Sequence, residues 1–100
     1  MKKVSISVPG GNGRMGRTLL GLIIGNEKYN LVTSTCLPNE DEAGIDIGTL
    51  VGKPKISKKL KTEPAHLFQN SDVLIDFTVP EATMFHAYKF FDNNMAIVIG

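Results

Sequence analysis

Apolar residues alternate with serines at the start of the chain: Val4, Ile6 and Val8 are separated by Ser5 and Ser7. A period of two is that of a strand. Pro9 and the glycines at 10, 11, 13 and 16 break the alternation, and from Met15 the apolar residues Leu19, Leu20, Leu22 and Ile23 recur at helical spacing. The spacing predicts a helix from Arg14 to Ile24, ended by a left-handed residue at Gly25 or Asn26. Leu31 to Leu37 is β-rich and predicts a second strand, parallel to the first and reached by a right-handed crossover.

Pro38 to Gly52 loses the periodicity. Its proline, its acidic cluster Glu40-Asp41-Glu42 and its glycines at 44, 48 and 52 predict a mobile loop. Lys55 to Lys61 predicts a short edge strand, and Glu63 to Asn70 a short helix after the break at Pro64. After a turn at Asn70-Ser71, the nearly continuous apolar run Val73 to Phe77 fits a strand buried on both faces, in the centre of a parallel sheet. Thr78-x-x-Glu81 is a capping box that opens a helix running to Phe91, ended by Asp92-Asn93-Asn94. Met95 to Ile99 predicts another buried strand, and Gly100 stands where that strand turns into a loop. The order predicts an α/β fold, a Rossmann-like, doubly wound and mostly parallel sheet, with residues 1–100 forming a single dinucleotide-binding domain that stops short at Gly100.

Composition narrows the function classes. With 42% hydrophobic and 21% charged residues the chain is ordinary for a globular domain and too apolar for a disordered one. A net charge of +1 supplies no general field for nucleic acid or an anionic membrane, although Lys53 to Lys61 is locally basic and reads as a solvated loop. Cys36 is the single cysteine, so an internal disulfide is excluded and a reducing compartment, the cytoplasm, is expected. Met1-Lys2-Lys3 is not followed by an apolar core segment, so neither a targeting segment nor a membrane span is predicted. The acidic cluster lacks a histidine or further carboxylate at ligand spacing, so no metal site is expected.

The chemistry concentrates in the glycine turn. Gly11-x-Gly13-x-x-Gly16 is the dinucleotide fingerprint, overlapped by Gly10-x-x-Gly13-x-x-Gly16. Such a turn aims backbone N–H groups and the positive end of a helix dipole at one point, and glycine lets a pyrophosphate approach without meeting a Cβ. The same pattern also fits a tight strand-to-helix turn with no ligand, but its place between the first strand and the first helix favours nucleotide binding. His66 and His86 have no nucleophile or acid partner at recognisable spacing. Cys36 reads as a buried small hydrophobe, Asp76 as a strand-end residue that fixes a loop, and Phe85, Tyr88, Phe90 and Phe91 as core.

Three stretches together, Gly10-Gly11-Asn12-Gly13-Arg14-Met15-Gly16-Arg17, Asp72 to Thr83 and Ile97-Val98-Ile99-Gly100, resemble the amino-terminal domain of the 4-hydroxy-tetrahydrodipicolinate (dihydrodipicolinate) reductases over the whole chain. The resemblance implies a cytoplasmic homotetramer that uses NADH or NADPH in diaminopimelate and lysine biosynthesis. It implies cofactor contacts at Gly10, Gly11, Asn12, Gly13, Arg14 and Met15 for the pyrophosphate, at Phe77 and Thr78 beside the cofactor, and at Gly100 near the nicotinamide.

Two departures stand out. The acid that meets the adenosine ribose, about twenty residues past the loop, falls on Cys36. The family arginine for a 2′-phosphate falls on Leu37. Positions 36 and 37 therefore predict relaxed choice between the cofactors, partly compensated by the guanidinium of Arg14. The family's catalytic and tetramer-forming substrate domain falls beyond residue 100, so no catalytic residue is assigned here and the chain is expected to bind cofactor without turnover. The alternative is a stand-alone nucleotide-binding or sensor module; a continuing reading frame separates the two.

Overall fold

The computed structural model describes residues 2–68, 70–76 and 96–99. The elements run β1 (Val4–Pro9), α1 (Arg14–Ile24), β2 (Tyr29–Thr35), α2 (Ile47–Leu50), a 3₁₀ helix (Pro64–Phe68), β3 (Val73–Asp76) and β4 (Ala96–Ile99). All strand pairs are parallel and the order is β2-β1-β3-β4, the Rossmann-like arrangement that the alternation of elements predicts. Chain order reverses at β1, which has β2 on one side and β3 on the other. A parallel doubly wound sheet binds its ligands at such a reversal, at the carboxyl ends of the strands.

The core gathers Ile6 and Val8 of β1, Leu20 and Ile23 of α1, Leu31 of β2, and Ile47, Leu50 and Leu60 from the segment after β2. Leu20 and Ile47 have no exposed surface, and each such burial is worth roughly 1.5–3 kcal/mol. A smaller cluster joins Leu67, Phe68 and Leu74, with Ile97 of β4 packed against it. Within α1 the buried stripe is Gly16, Leu20 and Ile23, while Met15 and Leu22 face solvent.

Several expectations need correction. β2 begins two residues earlier than Leu31, because Val4 and Ser5 pair with Tyr29 and Asn30. It also ends earlier, because the Cys36 N–H turns away to the Lys61 carbonyl at 2.8 Å. Neither Gly25 nor Asn26 is left-handed. Helix α1 closes instead through Gly25 N–H to Gly21 O and Asn26 N–H to Ile23 O, and the Asn26 side chain then accepts from Lys28 N–H.

The segment 38–52 is packed rather than loose. It carries α2, and Gly44 N–H and Leu60 N–H bond across to Leu60 O and Ile45 O, each at 2.8 Å. The expected edge strand 55–61 reduces to isolated bridges, Asp46 to Lys59 and Thr35 to Lys61. The helix expected at 63–70 is the 3₁₀ helix Pro64–Phe68, and Asn70 turns the chain with φ of 62°. β4 is not fully buried: Ala96 and Val98 are exposed. The helix expected after Thr78, with His86 and its aromatic residues, lies outside the described residues, as do Met95, Phe77, Thr78 and Gly100. Among the described residues no helix is long and apolar enough to cross a membrane.

Candidate functional site

The glycine turn sits on the carboxyl end of β1, at the reversal of strand order. Gly10 takes the left-handed conformation, φ 67°, which lets the chain leave the strand sharply. The next glycines divide between two roles. A Cβ at Gly11 would overlap the Ser34 Oγ and press on Leu20. One at Gly16 would overlap the Gly10 carbonyl oxygen and lie 2.8 Å from Gly11 Cα. Both are glycine because α1 and β2 pack hard against the turn.

Gly13 differs. It is the N-cap of α1 in ordinary extended conformation, φ −74° and ψ 169°, and a Cβ there meets only the Gly10 carbonyl oxygen, at 3.4 Å. Neither packing nor backbone conformation requires glycine at 13, so the open space beside it fits the approach of a ligand backbone or phosphate.

The donors at the turn are narrower than the run Gly10 to Met15 suggests. Gly11 N–H is spent on Thr35 O at 3.1 Å and Gly13 N–H on Gly10 O at 3.0 Å. The first-turn N–H groups of Arg14, Met15 and Gly16 have no intrahelical acceptor, and no side chain caps them. These N–H groups and the helix dipole form the anion-facing end of the turn. Arg14 and Met15 are both exposed there.

One side of the turn is clasped by a residue outside the sequence-predicted set. Glu42 Oε1 accepts from Asn12 Nδ2 at 3.2 Å and pairs with Arg17 Nη2 at 3.7 Å, while Arg17 Nε donates to Asn12 O at 2.8 Å. A second is Ser34, whose hydroxyl donates to Val8 O at 2.6 Å beneath Gly11. A bulge in β2, where Val32 is the extra residue, sets Ser34 beside Val8. The acidic cluster was the available signal for Glu42, but its partners are far away in sequence.

Cys36 and Leu37 follow the end of β2, on the neighbouring strand of the same edge. The Cys36 side chain is 8% exposed and belongs to the core, so this position offers a ligand only backbone. Burial pushes its thiol pKa up, and the carboxylates of Glu40 and Glu42 push it further in the same direction. Leu37 is 59% exposed. Asp76 is buried at the end of β3, opposite Ile99 of β4, so the strands that lead to Phe77 and Gly100 end together. His66 is half-buried on the 3₁₀ helix.

Comparison with known proteins agrees with this geometry. A family model described as "Dihydrodipicolinate reductase, N-terminus" matches residues 4–100. Proteins named 4-hydroxy-tetrahydrodipicolinate reductase from Dinoroseobacter shibae, Burkholderia lata and Rhodopseudomonas palustris are 40%, 34% and 35% identical over 82, 97 and 100 residues. These matches cover 82%, 97% and 100% of this chain but 30%, 36% and 37% of the relatives, so the chain spans about a third of their length. With a glycine turn of the required shape and a family match over nearly all its residues, the chain belongs to the dihydrodipicolinate reductase N-terminal family.

Proposed function

We propose that this chain is the NAD(P)H-binding part of a cytoplasmic, homotetrameric reductase that acts on 4-hydroxy-tetrahydrodipicolinate in diaminopimelate and lysine biosynthesis. The observation that carries the reading is Gly13, a glycine that packing does not demand, beside uncapped N–H groups at the start of α1. Family membership supports the reaction class, and the relatives' name supplies the substrate.

The first-turn N–H groups of Arg14, Met15 and Gly16 would hold the pyrophosphate, with Gly10, Gly11 and Asn12 shaping the turn and Gly13 giving it room. Arg14 adds a fixed positive charge suited to phosphate. Cys36 and Leu37 would border the adenosine end of the cofactor, and Phe77, Thr78 and Gly100, which follow β3 and β4 in the sequence, its nicotinamide end. The cofactor, when bound, supplies a hydride; this chain binds and orients it. Substrate contacts and the proton donor belong to the part of the relatives that this chain does not span.

Titration calorimetry with NADH and NADPH tests the reading. The wild-type chain is expected to bind, and Gly13→Val to bind neither while still unfolding cooperatively at a somewhat lower temperature, because φ −74° suits any residue and a Cβ there meets only the Gly10 carbonyl oxygen, but valine caps a helix worse than glycine. Equal affinities in the two proteins overturn the assignment.

A further inference from the structure

We propose that Glu42 sets the choice of cofactor, favouring NADH over NADPH, by taking the place of the ribose-binding acid that position 36 lacks. The inference rests on the dinucleotide-binding reading and adds a specificity-determining residue to it. In a dinucleotide fold the acid stands at the end of the second strand and accepts from the adenosine ribose hydroxyls. Here that position is the buried thiol of Cys36, which can do neither that nor repel a phosphate.

Glu42 reaches the same edge by another route. Its side chain, 30% exposed, is fastened to the glycine turn through one oxygen only, Oε1, by Asn12 and Arg17. Oε2 makes no hydrogen bond among the described residues, so the carboxylate is oriented with one acceptor still to fill. Gly11 N–H bonds Thr35 O at 3.1 Å, one residue before Cys36, so the contact between Glu42 and the next turn residue, Asn12, lies beside the end of β2.

Arg17, 3.7 Å from Glu42, offsets part of its charge, and Glu40, which pushes the Cys36 thiol up more than Glu42 does, adds a like charge on that side. Arg17 is committed to Glu42 and to the Asn12 carbonyl. Arg14, exposed at the start of α1, would act on the pyrophosphate that both cofactors carry and so would not distinguish them. An acceptor held at the rim suits a ribose hydroxyl, whereas a 2′-phosphate there would bring a second anion against a carboxylate. The relaxed choice expected from Cys36 and Leu37 alone is thereby replaced by a preference.

Calorimetric titration of the protein with NADH and NADPH at low ionic strength tests this. The wild type is expected to bind NADH about tenfold more tightly, equivalent to about 1.4 kcal/mol. Glu42→Gln keeps an acceptor for Asn12 and removes the charge, so the ratio should fall within about threefold. Glu42→Arg should reverse it, and added salt should shrink the wild-type ratio. Thermal melting of each variant shows that it is folded. A wild type that prefers NADPH, or a ratio that folded Glu42→Gln and Glu42→Arg leave unchanged, overturns the inference while leaving dinucleotide binding intact. A wild type that binds neither cofactor overturns the underlying reading and the inference together.

Discussion

Helices α1 and α2 each begin after a glycine-containing stretch, and they treat the N–H groups of their first turn in opposite ways. At α2 the N-cap is Asp46, whose carboxylate accepts from Thr49 N–H at 3.2 Å, Ile56 N–H at 3.0 Å and Lys58 N–H at 3.1 Å. That helix start carries its own anion, and the same anion gathers the returning chain. At α1 the N-cap is Gly13, with no side chain and no cap. An uncapped start forgoes the stability that a serine or aspartate gives, and it leaves the dipole and its N–H groups to an anion from outside. The short helix is a closed structural joint; the longer one is left open where the sheet reverses.

Converting one start into the other is the most severe test of that contrast. A Cβ fits at Gly13, and Gly13→Asp would build into α1 the device that α2 has. Dinucleotide affinity should fall at least about a hundredfold, about 2.7 kcal/mol, because a fixed carboxylate then occupies the anion position. Stability should rise by a few tenths of a kcal/mol through the new cap. Calorimetry and urea unfolding of the same preparations measure both. Unchanged affinity would mean that the open helix start does not receive the phosphate.

The closed joint predicts an effect of a different kind. Desolvation pushes the Asp46 pKa up, but the N–H groups of Ile56, Thr49 and Lys58, with a contribution from Ser57, outweigh it and hold the carboxyl below its ordinary value. Because the folded-state pKa is the lower one, the stabilisation is fully present above the unfolded value, about pH 4, and is lost as pH falls through the folded value. Asp46→Ala should therefore melt below wild type by a constant margin from pH 5 to 7, and the margin should shrink in acid. Dinucleotide affinity should not change. A margin that grew on acidification would contradict the sign of the shift.

How far each region was legible follows from the reach of its interactions. β1, the glycine turn and α1 are written in neighbouring residues, as alternation, then glycines, then helical spacing, and their bounds follow closely. The separate duties of Gly11, Gly13 and Gly16 were not readable, since they depend on Ser34, Leu20 and the Gly10 carbonyl standing where tertiary packing puts them. Residues 38–52 predict a loop and 55–61 an edge strand, and neither matches because the order there comes from pairings across the whole segment, Ile45 with Leu60 and Asp46 with Ile56 and Lys58. Glu42 stands in the sequence as one member of an acidic cluster because its partners Asn12 and Arg17 are 30 and 25 positions away. The end of β2 was misjudged for the same reason: Lys61, not the local β-propensity of Cys36 and Leu37, decides where the strand stops.

The smallest expected effect lies at the other end of α1. Its last turn contains no basic residue, so nothing in the helix itself complements the negative end of its dipole. The folded loop after α2 supplies the missing cation: Lys53 crosses the helix at Gly21 and Gly25, and its Nζ lies 3.7 Å from where a Gly25 Cβ would stand. The packed segment that Asp46 organises thus closes one end of α1 electrostatically while the glycine turn leaves the other end open. Lys53→Met keeps the aliphatic stem over the two glycines and removes the charge, so it should cost about 0.3–1 kcal/mol at low salt. That corresponds to a few degrees in melting temperature for a chain of this size. Lys53→Arg should restore most of the loss, and added salt should erase the difference between wild type and Lys53→Met, because an exposed charge acting on a dipole is screened within a Debye length. If Lys53→Met melts with wild type at low salt, the lysine is only lying across the helix, and the electrostatic closure of that end is wrong.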